Sequence, residues 1–137
     1  MGVQKRPIDN PDKKPHPVFN WALELSGIDR LLFVTGTTAA GVDGVVNFPG
    51  DAPAQARWIL ESFDRLLANA GYSLDDVVRL ETTVVDGVSD ADLAAIERVS
   101  AEYFGSRPVK PSAGTLRMVS RLVRPGLLVE LEILAAR

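Results

Sequence analysis

DAPAQARWILESFDRLLANAG, residues 51–71, carries the pattern from which the rest of the fold follows. Ala52, Ala56, Ile59, Leu60, Phe63, Leu66, Leu67 and Ala70 recur at steps of three and four, which draws one apolar stripe along a helix. Asp51 suits the N-cap, Pro53 fits the first turn, and Gly71 suits the exit. Trp58, Glu61, Asp64 and Arg65 fall on the outer side. A helix with one apolar stripe needs a flat apolar surface to lie on, and the flanking sequence supplies it.

Downstream, Val77 to Val85 is rich in β-branched residues and reads as a strand. Asp90 can cap a second helix running to Phe104, with Leu93, Ile96, Val99, Ala101 and Phe104 as its core stripe and Gly105 at its end. Ser112 to Leu122 reads as a strand, Pro125-Gly126 as a turn, and Leu127 to Ala135 as the last strand. Upstream, Val18 to Leu25 and Arg30 to Thr35 read as a hairpin across the turn Ser26-Gly27-Ile28-Asp29. Thr37 to Gly50, with Gly41, Gly44 and Pro49, suits a loop or a small extra hairpin. The resulting order is β-β-α-β-α-β-β, an α+β chain whose economical packing is one mixed sheet with both helices on one face.

The length of 137 residues fits one domain, taken as 17–137. Residues 1–16, with Pro7, Pro11 and Pro15 and four Lys or Arg, read as a loose N-terminal arm. The segment Met1 to Arg6 leads into polar residues, not into an apolar run, so no secretory signal is read there. No stretch reaches about 18 consecutive apolar residues, and a cytoplasmic protein without membrane partners is the expectation. The absence of cysteine excludes a thiolate metal site and a cysteine nucleophile, and a single histidine excludes a multi-histidine site within one chain. A net charge of -3 and the lack of a basic stripe argue against nucleic acid as a partner.

Few residues stand out as chemistry. Asp75, Asp76 and Glu81 invite an acid/base reading, but Asp75 and Asp76 fall at a helix-to-strand turn and read as solvated carboxylates, and His16, between Pro15 and Pro17, reads as a surface residue. The glycines from Gly36 to Gly50 lack the Lys-Ser/Thr and the following helix of a phosphate loop. In Leu127-Leu128-Val129-Glu130-Leu131-Glu132-Ile133-Leu134 the alternation puts Glu130 and Glu132 on one strand face and aliphatic residues on the other. A solvent-facing side and a carboxylate-lined cleft covered by another subunit both fit that alternation.

Taken in order, Phe33-Val34-Thr35-Gly36, Ala54-Gln55-Ala56-Arg57, Ala70-Gly71 with Asp75-Asp76-Val77-Val78, Tyr103-Phe104, Arg121-Leu122 and Val129 to Ala135 resemble the RidA/YjgF family of reactive-intermediate deaminases. The resemblance runs from about Val18 to Arg137. It implies a chorismate-mutase-like fold, a homotrimer with clefts between subunits, and a small-molecule ligand. It also implies hydrolysis of an imine or enamine with no metal or organic cofactor.

In deaminating members an arginine on the fourth strand holds the substrate carboxylate, and a glutamate on the last strand positions the water; both roles suit those side chains. Glu130 matches that glutamate and Gly36 the glycine after the second strand. Anchoring on Arg121-Leu122 puts the arginine position at Gly114, beside Thr115. An asparagine of the second helix falls near Glu97, and an aromatic of the first strand near Ala22, next to Trp21. Arg117, three positions after Gly114, faces the other side of a regular strand, so only a bulge brings it round. Arg107 and Lys110, in the preceding loop, are the other candidate substitutes. The alternatives are a member without deaminase activity that runs another hydrolysis or isomerisation, and a ligand-binding trimer without turnover.

Overall fold

The computed structural model describes residues 2–137. In chain order the elements are β1 (Gln4–Ile8), β2 (Ala22–Ser26), β3 (Leu31–Thr38), α1 (Ala52–Asn69), β4 (Val77–Val85), α2 (Asp90–Phe104), β5 (Ser112–Ala113), β6 (Arg117–Val119) and β7 (Val129–Ala136). β3, β7, β4 and β5 lie side by side in that order, and β6 continues β5 along the same edge of β4. β7 is antiparallel to both β3 and β4, whereas β5 and β6 run parallel to β4, so the sheet is mixed.

The α+β expectation holds, and the two helices and β4 form where their patterns put them. Asp51 caps α1 by accepting from the Ala54 N–H, and Gly71 follows the helix end at φ 78°. Ser89, not Asp90, caps α2, accepting from the Asp92 N–H. Ala56, Ile59, Leu60, Phe63 and Leu67 of α1 are fully buried, and they meet Val129, Leu131 and Ile133 of β7 in the core. Each Val, Leu, Ile or Phe side chain among them contributes about 1.5–3 kcal/mol on full burial. Trp58, read as outward-facing, packs partly buried against this core.

Three expectations are corrected. Residues 4–8 are not loose: they pair antiparallel with β2, and Lys5 Nζ donates to the Asp75 carbonyl. The hairpin of β2 with β3 does not form, because β2 takes β1 as its partner and β3 pairs with β7. The strand read over Ser112 to Leu122 is broken at Gly114-Thr115-Leu116. Leu80 lies opposite Ala113 and Thr83 opposite Arg117, so three steps along β4 match four steps along the edge. That extra residue is a bulge, and it decides which way Arg117 faces. Among the described residues no helix is long and apolar enough to cross a membrane.

Candidate functional site at the uncovered face of the sheet

The helices cover one face of the sheet. Along β7, Val129, Leu131 and Ile133 are buried on the helix side, while Glu130 and Glu132 point to the other. Pairing carries this face across the strands. Thr83 of β4 lies opposite Glu130 on one side and Arg117 on the other, and Glu81 lies opposite Glu132. The uncovered face therefore gathers Glu130, Glu132, Glu81, Arg79 and Arg117, with Phe33 of β3 standing 77% exposed beside them.

Two local irregularities shape this cluster. Val34 pairs with Ile133 and Thr37 with Leu131, which leaves an extra residue in β3 at Thr35-Gly36. Glu130 leans into the space this opens. A Cβ built on Gly36 would stand 2.5 Å from Glu130 Oε1, so only glycine leaves the carboxylate its seat. The second irregularity is the break at Gly114. A Cβ there would run into Glu81, 2.6 Å from its Cγ, so Glu81 packs directly over the glycine and excludes any side chain.

Glu81 is the hub of the charges. Arg79 donates to its Oε1 from Nη2 at 3.0 Å and from Nε at 3.3 Å, while Arg117 Nη1 stands 3.9 Å from Oε2. The other proposed cations are committed elsewhere. Arg107 donates to the Tyr103 carbonyl at 2.7 Å and pairs with Asp75 at 3.2 Å, and Lys110 Nζ donates to the His16 carbonyl at 2.7 Å.

The remaining sequence-derived candidates lie on the helix side, in a groove of about 450 Å³ between α2 and the β4–β5 edge. His16, Phe19, Glu97, Ser100, Gly114 and Leu116 are among its lining residues, so Gly114 alone belongs to both regions. His16 is half-buried and not a free surface side chain. Its ring stacks on Phe19 at 3.8 Å, its Nδ1 accepts from the Val18 N–H, and its Nε2 lies 3.7 Å from Glu97. Burial holds this imidazole below its ordinary pKa, with Glu97 opposing. Trp21 packs edge-on to Phe19 and donates from Nε1 to the Lys14 carbonyl, outside the groove lining. Thr115 is exposed in the break between β5 and β6. Sequence reasoning missed Phe19 and Ser100 as groove residues, although both sit beside residues it singled out.

Residues 12–137 match a family model described as endoribonuclease L-PSP. The chain is 32% identical over 125 residues to the 3-aminoacrylate deaminase RutC of Acinetobacter baylyi, covering 91% of this chain and 93% of that protein. It is similar in structure to YyfB of Yersinia pestis, a protein of unknown function in the conserved Rid family. The TM-score is 0.82 at 32% identity, over 97% of this chain and 98% of that one. A Mycobacterium tuberculosis member of the YjgF family superposes with a TM-score of 0.61 at 31% identity, over 87% of this chain and 86% of that one.

Proposed function

Because the chain belongs to the RidA/YjgF family, we propose that it hydrolyses a small imine or enamine to a carbonyl compound and ammonia, with Glu130 as the residue that handles the water. The observation that carries this reading is the fit of the Glu130 carboxylate against Gly36 on the uncovered face. A carboxylate held there accepts a proton from water as the oxygen adds to the C=N carbon. The proton passes to the nitrogen, and the resulting carbinolamine collapses, breaking the C–N bond to release ammonia. One water is consumed and one ammonia leaves, so no redox partner is required. RutC, named for deamination of 3-aminoacrylate, supports an enamine or its imine tautomer as the substrate class.

The working molecule in this reading is a homotrimer. Phe33 on the uncovered face is 77% exposed, and Leu116 and Met118 on the groove side of the sheet edge are 49% and 56% exposed, which suits surfaces covered by neighbouring protomers. Glu130 and Glu97 face opposite sides of one protomer's sheet, so a cleft uniting them takes the first from one protomer and the second from its neighbour.

The test couples the purified protein to an amino-acid oxidase that generates imines in solution. Faster ammonia release than the uncatalysed rate is the expected result; no acceleration across several amino acids sinks the reading. Gly36→Ala sharpens it. The new methyl displaces only the end of a flexible side chain, so unfolding by urea stays close to the unmodified protein. Turnover is expected to fall about 10²-fold because the carboxylate moves by roughly an ångström. A fully active Gly36→Ala protein contradicts the role given to that contact.

A further inference from the structure

We propose that the groove between α2 and the β4–β5 edge is a binding pocket for a small molecule whose apolar body ends in a hydroxyl, and that His16 and Glu97 together read the hydroxyl. The body of such a molecule meets Val18, Phe19, Leu93, Ile96 and Leu116. A volume of about 450 Å³ lies within the usual range for small-molecule sites, whose walls are apolar and whose few polar groups set orientation. The pocket stands on this chain's own side chains. Only the further step, that its occupant is the molecule turned over, rests on the deaminase reading above.

The first observation is a donor with a fixed direction. His16 Nδ1 accepts from the Val18 N–H at 3.1 Å, so in the neutral ring the proton sits on Nε2. Burial favours that neutral ring, lowering its pKa against the opposing effect of Glu97. The ring lies nearly flat on Phe19, at 3.8 Å with 15° between the planes, and Lys110 Nζ holds the His16 carbonyl at 2.7 Å. A ring flip would cost the Val18 bond, so the Nε2–H group stays turned toward Glu97. Among the described residues it has no hydrogen-bond partner.

The second observation is an acceptor set one step too far away. Glu97 Oε2 lies 3.7 Å from His16 Nε2, beyond hydrogen-bond distance, and among the described residues no other basic group stands within 4.0 Å of that carboxylate. One oxygen about 2.8 Å from each atom closes a triangle on this 3.7 Å base. A hydroxyl fits, because it accepts through its oxygen and donates through its hydrogen. Other head groups fail on charge or on capacity. A carboxylate brings a second negative charge beside Glu97, and among the described residues no Lys or Arg lines the groove to offset it. A ketone accepts from Nε2–H but donates nothing to Glu97, and an ammonium does the reverse. A methyl leaves both protein groups unpaired in a filled groove.

The experiment titrates three probes into the full-length protein and follows its NMR signals. 2-Phenylethanol carries the hydroxyl, phenylacetate carries a carboxylate in its place, and ethylbenzene carries no polar head. 2-Phenylethanol is expected to bind with a Kd of about 1 mM, the scale its size permits, and the other two at least about 10-fold more weakly. Its shifts should fall on Phe19, Leu93 and Ile96. His16→Phe keeps a ring against Phe19 and removes the donor, so it should weaken 2-phenylethanol about 10-fold and leave ethylbenzene unchanged. Glu97→Gln keeps the size and removes the charge, so phenylacetate should gain about 10-fold while 2-phenylethanol changes little. A pair with a purely structural role would move all three probes together. No binding of 2-phenylethanol, equal binding of the three, or shifts confined to another surface overturns the pocket. A Glu97→Gln protein that still rejects phenylacetate overturns the role given to Glu97. Imine turnover is scored separately. Selective binding without turnover retires the deaminase and keeps the pocket, turnover without selective binding does the reverse, and the absence of both overturns both.

Discussion

Glu130→Gln is expected to lower kcat/KM for imine hydrolysis by about 10²–10⁴-fold, the range a positioned proton-transfer group supplies. The amide has the size and shape of the carboxylate, and the residue sits between Val129 and Leu131, whose burial anchors this part of β7. The fold should therefore survive intact, with an unfolding midpoint close to the original. What is lost is a group able to take a proton from water. Glu132→Gln serves as the neighbouring control, because Glu132 shares the face but lies opposite Glu81, one pair farther from Thr83. It should retain most of the rate. Single-turnover ammonia release separates chemistry from product release. A Glu130→Gln protein within a few-fold of the original rate removes Glu130 from the reaction. A protein without turnover that binds its ligand equally well with glutamine there is a binder.

How far this outcome was legible from sequence depends on where each interaction finds its partner. α1, β4 and α2 are readable because their evidence is local: an apolar stripe, a capping side chain, a glycine at the exit. Strand partners are not written locally. Nothing in Ala22–Ser26 says that it pairs with Gln4–Ile8 instead of with the strand that follows it, and β1 itself is short, polar and interrupted by Pro7. The place of Glu130 was readable from alternation in β7. The facing of Arg117 was not, since a bulge appears only when two strands are compared residue by residue, and the break at Gly114 looks like ordinary strand in one dimension. His16 shows the same limit. Its prolines suggest an exposed turn, yet Phe19, three residues on, folds back to stack on it.

The largest stability effect is expected at a residue that an apolar stripe overlooks. Gln55 lies on the buried side of α1, three residues after Ala52 and four before Ile59, and it is fully buried despite its amide. Its Nε2 donates to the carbonyls of Phe48 and Gly126 at 3.1 and 2.8 Å, and its Oε1 accepts from the Leu128 N–H at 2.9 Å. Phe48 has a second partner in the Asp51 N–H, so truncation would strand chiefly the Gly126 carbonyl and the Leu128 N–H. Each buried group left unpaired costs about 1–3 kcal/mol, so Gln55→Ala should destabilise by roughly 2–4 kcal/mol, read as a lower urea midpoint at unchanged slope. Gln55→Met keeps most of the volume and none of the hydrogen bonds, and a similar loss there assigns the effect to the polar groups and not to a cavity. The bonds also hold the turn that launches β7, and Glu130 follows Leu128 by only two residues. Any Gln55→Met protein that remains folded should therefore lose activity beyond what its folded fraction explains. Full activity per folded molecule would mean that β7 keeps its register through pairing with β3 and β4 alone.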